Sequence, residues 1–274
     1  MNRLNKLKKK SSELRNIILE SSGHVASAFS CIEILVALFY GGILKYKPSN
    51  PEWEKRDRFI LSKGHGSMAL YAVLGDLGYF PLNWIENRYC KGDHFLGSHP
   101  DIKIPGVEVT TGSLGHGLGL AAGIALGNKL DNNDKFQFVL LGDGECTEGA
   151  IWEAAIFSAN MKLNNLVAIV DRNHKSVLGT TEEMTNLDAF PDRWLSFGWD
   201  VNVVDGHNIV ELIDALKKVK YSKTKKPSVI IAETIKGKGI SFLEEDPMCH
   251  LKNISAKDEL EKAKKELQWA NNEQ

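Results

Sequence analysis

The sequence predicts an α/β fold, a mostly parallel sheet with helices on both faces, and three observations predict it. Short apolar runs recur at 58–62, 136–141, 166–171, 200–204 and 228–233, the length of buried strands rather than of helices. Helix-length patterns alternate with the later runs, at about 148–160, 192–197 and 208–219, and strands alternating with helices imply right-handed βαβ units and a parallel sheet. Finally, Gly142-Asp143-Gly144-Glu145 and Asp171-Arg172-Asn173 each follow a run directly, at the strand ends where open parallel sheets collect ligands.

Taken in order, Leu4, Leu7, Leu14, Ile17 and Ile18 among Lys, Arg and Glu give an amphipathic first helix, ended at the glycine of Ser21-Ser22-Gly23-His24. A second helix is expected over Cys31 to Leu44. Strand 58–62 then leads through Lys63-Gly64-His65-Gly66 into a helix from Ser67 to about Leu77. From Leu114 to Leu130 a helix is dense in glycine and alanine, costly unless another backbone or a ligand must come close. After the alternating elements, Leu260, Ala263 and Leu267 mark a terminal amphipathic helix from Ser255 to Gln268, with Asn271 to Gln274 as a frayed end. We read one domain over 1–274, its helical tail at about 255–274, although 274 residues also fit two domains of about 150 residues each.

Composition excludes several classes. With 34 basic and 35 acidic residues, formal net charge −1, no global field draws nucleic acid or an acidic membrane. No apolar stretch reaches the roughly 20 residues that span a bilayer, and the basic N-terminus lacks a hydrophobic signal core, so a soluble cytoplasmic protein is expected. Cys31, Cys90, Cys146 and Cys249 form no Cys-x-x-Cys pair, which argues against a disulfide framework or a structural zinc.

The candidate site rests on Asp143 and Asn173, 30 positions apart. A carboxylate, an amide oxygen and a backbone carbonyl are hard donors of the kind magnesium takes, with phosphate oxygens and water completing the shell. Gly142 and Gly144 would let a diphosphate approach main-chain N–H groups, and a helix starting near Glu148 would turn its positive end towards that anion. Alone, Gly-Asp-Gly is more often a turn with a capping aspartate. Paired with the second segment it points to a thiamine diphosphate and magnesium site.

Further motifs stand in a definite order: Ser22-Gly23-His24, Ser62-Lys63-Gly64-His65-Gly66, Gly97-Ser98-His99-Pro100, the segment from Pro105 through Thr110-Thr111-Gly112-Ser113-Leu114-Gly115, Val204-Asp205-Gly206-His207 and Lys236-Gly237-Lys238-Gly239. With the two strand-end segments they resemble the transketolase family over nearly the whole chain, and in particular the short N-terminal subunits of two-chain transketolases. The resemblance implies the thiamine diphosphate-binding fold, with thiamine diphosphate and Mg2+ as cofactors, Ca2+ or Mn2+ substituting. It implies Asp143, Asn173 and the carbonyl of Lys175 as metal ligands. Gly142, Gly144 and Glu145 would lie at the diphosphate, and Gly112, Ser113 and Leu114 against the cofactor. Lys236 would add charge near the diphosphate, where a solvated turn is the ordinary reading of such a lysine run.

His24, His65, His99 and His250 match family histidines that line the cofactor and donor-substrate funnel, a task suited to imidazole, which exchanges protons near neutrality. His250 departs from the pattern, because Leu251 stands where a glycine usually follows. His116 occupies a position that many relatives fill with glutamine and is a candidate diphosphate neighbour. His94, His174 and His207 are read as structural or surface residues. Glu148 is either a glutamate of the subunit interface or a first-turn acid that complements the helix dipole.

What the resemblance covers is the family's diphosphate-binding domain. The pyrimidine-binding domain, with its glutamate, is expected on a separate C-terminal subunit, since nothing after His250 could encode it; this chain alone is expected to be inactive. A heterotetramer of two plus two is expected. The reaction implied is transfer of a two-carbon ketol unit from a ketose phosphate to an aldose phosphate, with pentose phosphates the default substrates. Two rivals stay open: another thiamine diphosphate enzyme, 1-deoxyxylulose-5-phosphate synthase-like or a decarboxylating α-keto acid enzyme, and a non-catalytic cofactor-binding protein.

Overall fold

The computed structural model describes residues 2–20, 24–90, 96–177, 179–252, 254 and 256–272. Five strands, β1 (Arg58–Leu61), β2 (Gln137–Gly142), β3 (Leu166–Arg172), β4 (Asp200–Asp205) and β5 (Ser228–Glu233), form one parallel sheet in the order β1-β2-β3-β5-β4. The alternation of side chains across each strand divides the core in two. Phe138, Leu140, Val167, Ile169 and Ile230 face one side, while Val139, Leu141, Ala168, Val170 and Ile231 face the other. Two buried faces are why these strands read as continuous apolar runs.

On the first side lie α1 (Arg3–Leu19), α2 (Val25–Phe29), α3 (Ile32–Phe39), α4 (Ser67–Asp76), α5 (Asn83–Arg88) and, after β4, α10 (Ile209–Lys220). On the second lie α6 (His116–Leu130), α7 (Gly149–Asn160) and α9 (Phe190–Ser196), with α8 (Thr181–Thr185) preceding α9. A short α11 (Ser241–Glu244) and the terminal α12 (Lys257–Asn272) return to the first side, where Ala263 and Leu267 are buried as the tail pattern predicts.

Several expected boundaries move. The second helix ends at Phe39 rather than Leu44, because Gly41 and Gly42 turn the chain: a Cβ at Gly41 would meet the Ala37 carbonyl oxygen at 2.1 Å, and Gly42 has φ +76°. The first helix ends at Leu19, and the glycine expected to stop it, in Ser21 to Gly23, lies outside the described residues. Leu114 sits in a turn ahead of α6, with Gly115 at φ +90°. Asn271 and Asn272, expected to fray, belong to α12. No described helix is long and apolar enough to cross a membrane.

The register aligns the strand ends that matter. Leu61 pairs with Leu140, Gly142 with Asp171, and Asp171 with Ala232. The segments after β1, β2, β3 and β5 therefore emerge side by side at one edge.

Candidate active site

At that edge lies a cavity of about 240 Å³. Ten of the predicted residues line it: His65, Leu114, Gly142, Asp143, Gly144, Glu145, Asn173, Lys175, Lys236 and His250. His24, His99, Gly112 and Ser113 do not. Lys63, Thr147, Ser176 and Val177 line it without having been predicted, and so does Glu148, the cap residue of α7.

Asp143 follows β2 directly and is buried. Its carboxylate accepts from the N–H of Gly144 at 2.8 Å and of His174 at 2.6 Å, with the Arg172 guanidinium at 3.5 Å. Burial, then the neighbouring Asp171, pushes its pKa up to about 6 despite these donors. Asn173 is buried with Oδ1 accepting from the Lys175 N–H at 3.1 Å. The Lys175 carbonyl accepts from the Lys236 ammonium at 3.1 Å. His174, between them, takes φ +59°, the kink that lets its N–H reach back to Asp143. No group of three or more His, Cys, Asp or Glu able to hold a metal occurs among the described residues, so a cation here would rest on one carboxylate, one amide oxygen and one carbonyl.

Glu145 lines the cavity but is occupied with the protein itself. Its carboxylate accepts from Ser62 Oγ at 2.5 Å, Gly115 N–H at 2.9 Å and Gly142 N–H at 3.1 Å, tying β1, the turn before α6 and the end of β2 together. Gly112 serves packing: at φ +142°, a Cβ there would lie 2.9 Å from Cδ2 of His99. Ser113 is exposed. His99 is exposed too, with Ser98 Oγ 3.1 Å from its Nδ1.

Three histidines meet beside the cavity. Ring centroids lie 4.9 Å apart for His65 and His250, 5.4 Å for His24 and His250, and 6.3 Å for His24 and His65, so His250 joins the group despite its atypical flank. Their tautomers follow from their partners. His24 Nδ1 faces the His250 carbonyl at 3.0 Å and must donate, leaving Nε2 to accept. His250 Nδ1 faces the Lys236 ammonium at 2.8 Å and must accept, leaving the proton on Nε2. Burial, then Lys236, depresses the His250 pKa to about 3, and burial, then Lys63, holds His65 well below its ordinary value. Both rings are neutral at neutral pH.

His116 begins α6, is exposed and stays out of the cavity, so its diphosphate role is not carried by geometry. His207, read as structural, bonds Glu33 at 2.9 Å and accepts the Ile235 N–H at 2.9 Å, next to Lys236. His94 lies outside the described residues. The residues that the sequence concealed are Lys63 and Asp171, a buried ion pair beneath the cavity. Each stands in a motif the sequence displays, but no local pattern marks their pairing.

Residues 14–274 match the family model described as "Transketolase, thiamine diphosphate binding domain". The chain is 42% identical over 223 residues to one of the subunits of the apulose-4-phosphate transketolase of Phocaeicola vulgatus, covering 81% of this chain and 78% of that one. It is also 42% identical over 242 residues to the 6-deoxy-6-sulfo-D-fructose transketolase subunit SqwG of a Clostridium species, covering 88% and 86%. The structure is similar to the transketolase of Campylobacter jejuni, with a TM-score of 0.88 and 31% identity over 98% of this chain. It spans 43% of that longer chain.

Proposed function

From the premise that this chain belongs to the transketolase family and carries its thiamine diphosphate-binding domain, we propose that its cavity holds the cofactor's diphosphate with a divalent cation, Mg2+ foremost. The chain would serve as the N-terminal subunit of a two-chain transketolase that moves a two-carbon ketol unit from a ketose phosphate to an aldose phosphate. One observation carries this reading: the Asp143 carboxylate, the Asn173 amide, the Lys175 carbonyl and the Lys236 ammonium converge on one cavity at the ends of β2, β3 and β5.

The donor set fits the group. Three hard oxygens suit Mg2+, which takes its remaining ligands from phosphate and water. The raised pKa of Asp143 marks a carboxylate that a divalent cation would stabilise. Gly142 and Gly144 line the cavity beside it, where the absence of side chains would let a diphosphate approach the backbone closely. Thiamine diphosphate supplies the electron sink for breaking and forming the sugar's carbon–carbon bond.

The chain's own groups position and move protons. Lys236 offers positive charge to the diphosphate and fixes the His250 tautomer. His24 Nε2 is then an acceptor and His250 Nε2–H a donor in one cluster, a pair suited to accepting a hydrogen bond from one sugar hydroxyl and donating one to another. His65, which lines the cavity together with His250, packs against both rings as a neutral imidazole. His99, outside the cavity, orients the donor sugar's terminal hydroxyl.

Three relatives are named as transketolase subunits rather than as whole enzymes, which supports a partner; the pyrimidine-binding domain is placed on it, in an assembly of two plus two. Two relatives are named for apulose 4-phosphate and 6-deoxy-6-sulfo-D-fructose, so unusual sugars compete with pentose phosphates as substrates. The assembly would work in the cytoplasm. The test is purification of the tagged chain from its native cells with thiamine diphosphate and Mg2+ throughout, followed by mass spectrometry. A near-stoichiometric companion of roughly 300 residues, long enough for two domains, whose addition restores ketol transfer, is expected. Recovery of the chain alone refutes the two-chain reading, and pyruvate consumption with carbon dioxide release would move it to a different enzyme of the cofactor class.

A further inference from the structure

Asp171 is the penultimate residue of β3, is fully buried and stands two residues before Asn173. Its carboxylate accepts from four places in the chain: the Lys63 ammonium after β1, Ser30 Oγ at 2.6 Å between α2 and α3, Thr234 Oγ1 after β5, and Nδ2 of Asn173 at 3.3 Å. The last bond sets the polarity of an amide. With Lys63, Ser30 and Thr234 all donating to it, the Asp171 carboxylate presents Asn173 with an acceptor, so Nδ2 faces Asp171 and Oδ1 faces away, to the side where the Lys175 N–H donates at 3.1 Å. Reversed, the amide would aim an NH2 group at any cation held between Asn173 and Asp143.

A buried ion pair is a poor device for stability alone, because well-packed apolar residues often do as well or better. Here the pair has a local consequence instead. We infer that Asp171, held in place by Lys63, Ser30 and Thr234, is a positioning residue that keeps the Asn173 oxygen turned towards the divalent cation; this rests on the metal-site reading above.

The test is Mn2+ titration of the full chain with thiamine diphosphate present, followed by the electron paramagnetic resonance of the free ion, with circular dichroism to confirm folding. Replacement of groups that orient metal ligands typically weakens binding 10- to 100-fold, and that loss is expected for Asp171→Asn. The double variant Asp171→Asn with Asn173→Asp should recover to within a few-fold of wild type, since a carboxylate at 173 presents oxygen in either orientation. Wild-type affinity in Asp171→Asn overturns the inference, and so does a double variant as weak as the single one. If Asp171→Asn does not fold, Asn173→Asp alone decides: weaker binding than wild type, from two facing carboxylates, supports the inference, and equal or tighter binding overturns it. Asp143→Ala separates the two levels. If wild type binds no Mn2+, or Asp143→Ala binds as well as wild type, the metal site has failed and the inference with it.

Discussion

Gly117→Ala is the sharpest test of how the site is built. Gly117 lies in the first turn of α6, directly over Ser62, and a Cβ there would lie 2.3 Å from Ser62 Oγ and 2.4 Å from Ser62 Cβ. Both atoms are buried at the end of β1, where Ser62 Oγ donates to Glu145. Overpacking a close-packed position costs about 1–3 kcal/mol, and displacing Ser62 from a charged acceptor about 1.5–3 kcal/mol more. Against this, alanine for glycine inside a helix gains about 1 kcal/mol, so the net loss is roughly 1.5–5 kcal/mol. At roughly 2–4 °C per kcal/mol for a chain of this size, thermal melting of the full chain should fall by about 10 °C. Affinity for thiamine diphosphate should fall as well, because Glu145 also holds the Gly115 and Gly142 N–H groups. The cause is isolated in a Ser62→Gly background, which removes both clashing atoms; there Gly117→Ala should cost under about 1 kcal/mol. A melting temperature within about 2 °C of wild type, or an equal cost in both backgrounds, would refute the reasoning.

Arg15→Met leaves Glu33 buried without the guanidinium that bonds it at 2.6 and 2.8 Å, and should cost roughly 3–5 kcal/mol in urea denaturation. Burial alone would raise the Glu33 pKa, yet Arg15 and His207 hold it at about 2; the deficit should be full above the unfolded value of 4.5 and shrink as pH falls towards 2. The Glu233 bond at 2.7 Å raises the His174 pKa. Wild type should therefore outlast Glu233→Gln in melting below pH 6.5 and lose the advantage as pH rises through the folded pKa, by less than about 1 kcal/mol because both side chains are half exposed. His99→Ala should lower kcat of the assembled enzyme while leaving the thiamine diphosphate Kd nearly unchanged, since the ring does not line the cavity; equal losses in both would count against its role at the donor sugar.

The sequence made the strands and strand-end loops legible because both depend on short stretches of chain. An apolar run buried on two faces announces itself, and Asp143 and Asn173 follow such runs directly. The short helices α2, α5, α8 and α11 escaped because a turn or two shows no periodicity, although the capping box of Thr180 and Glu183 at α8 is a local signal that was there to be read. His116 stands at the start of the glycine-rich α6 but does not line the cavity. Lys63 and Asp171 were hidden for a different reason: their bond joins positions 108 residues apart, and only the register of β1, β2 and β3 brings them together.

The charges around the cavity also say what it is prepared to receive. Three carboxylates, Asp143, Glu145 and Asp171, and three bases, Lys63, Arg172 and Lys236, are all buried there. Asp171 is matched by Lys63 at contact distance, and Glu145 by three neutral donors. Arg172 gives its closer bonds to Glu182 and Thr181 and reaches Asp143 only at 3.5 Å. Even so, burial raises the Glu145 pKa, and two further groups are under-compensated in the same way. Asp143 has its pKa raised to about 6, and Lys236, which makes no ion pair among the described residues, has its pKa lowered to about 8 by burial and then by Lys63. An under-compensated carboxylate and an under-compensated ammonium in one cavity cannot be relieved by a single ion of either sign. A divalent cation on Asp143 that carried a polyanion towards Lys236 would relieve both, which supports the metal-bound diphosphate proposed above.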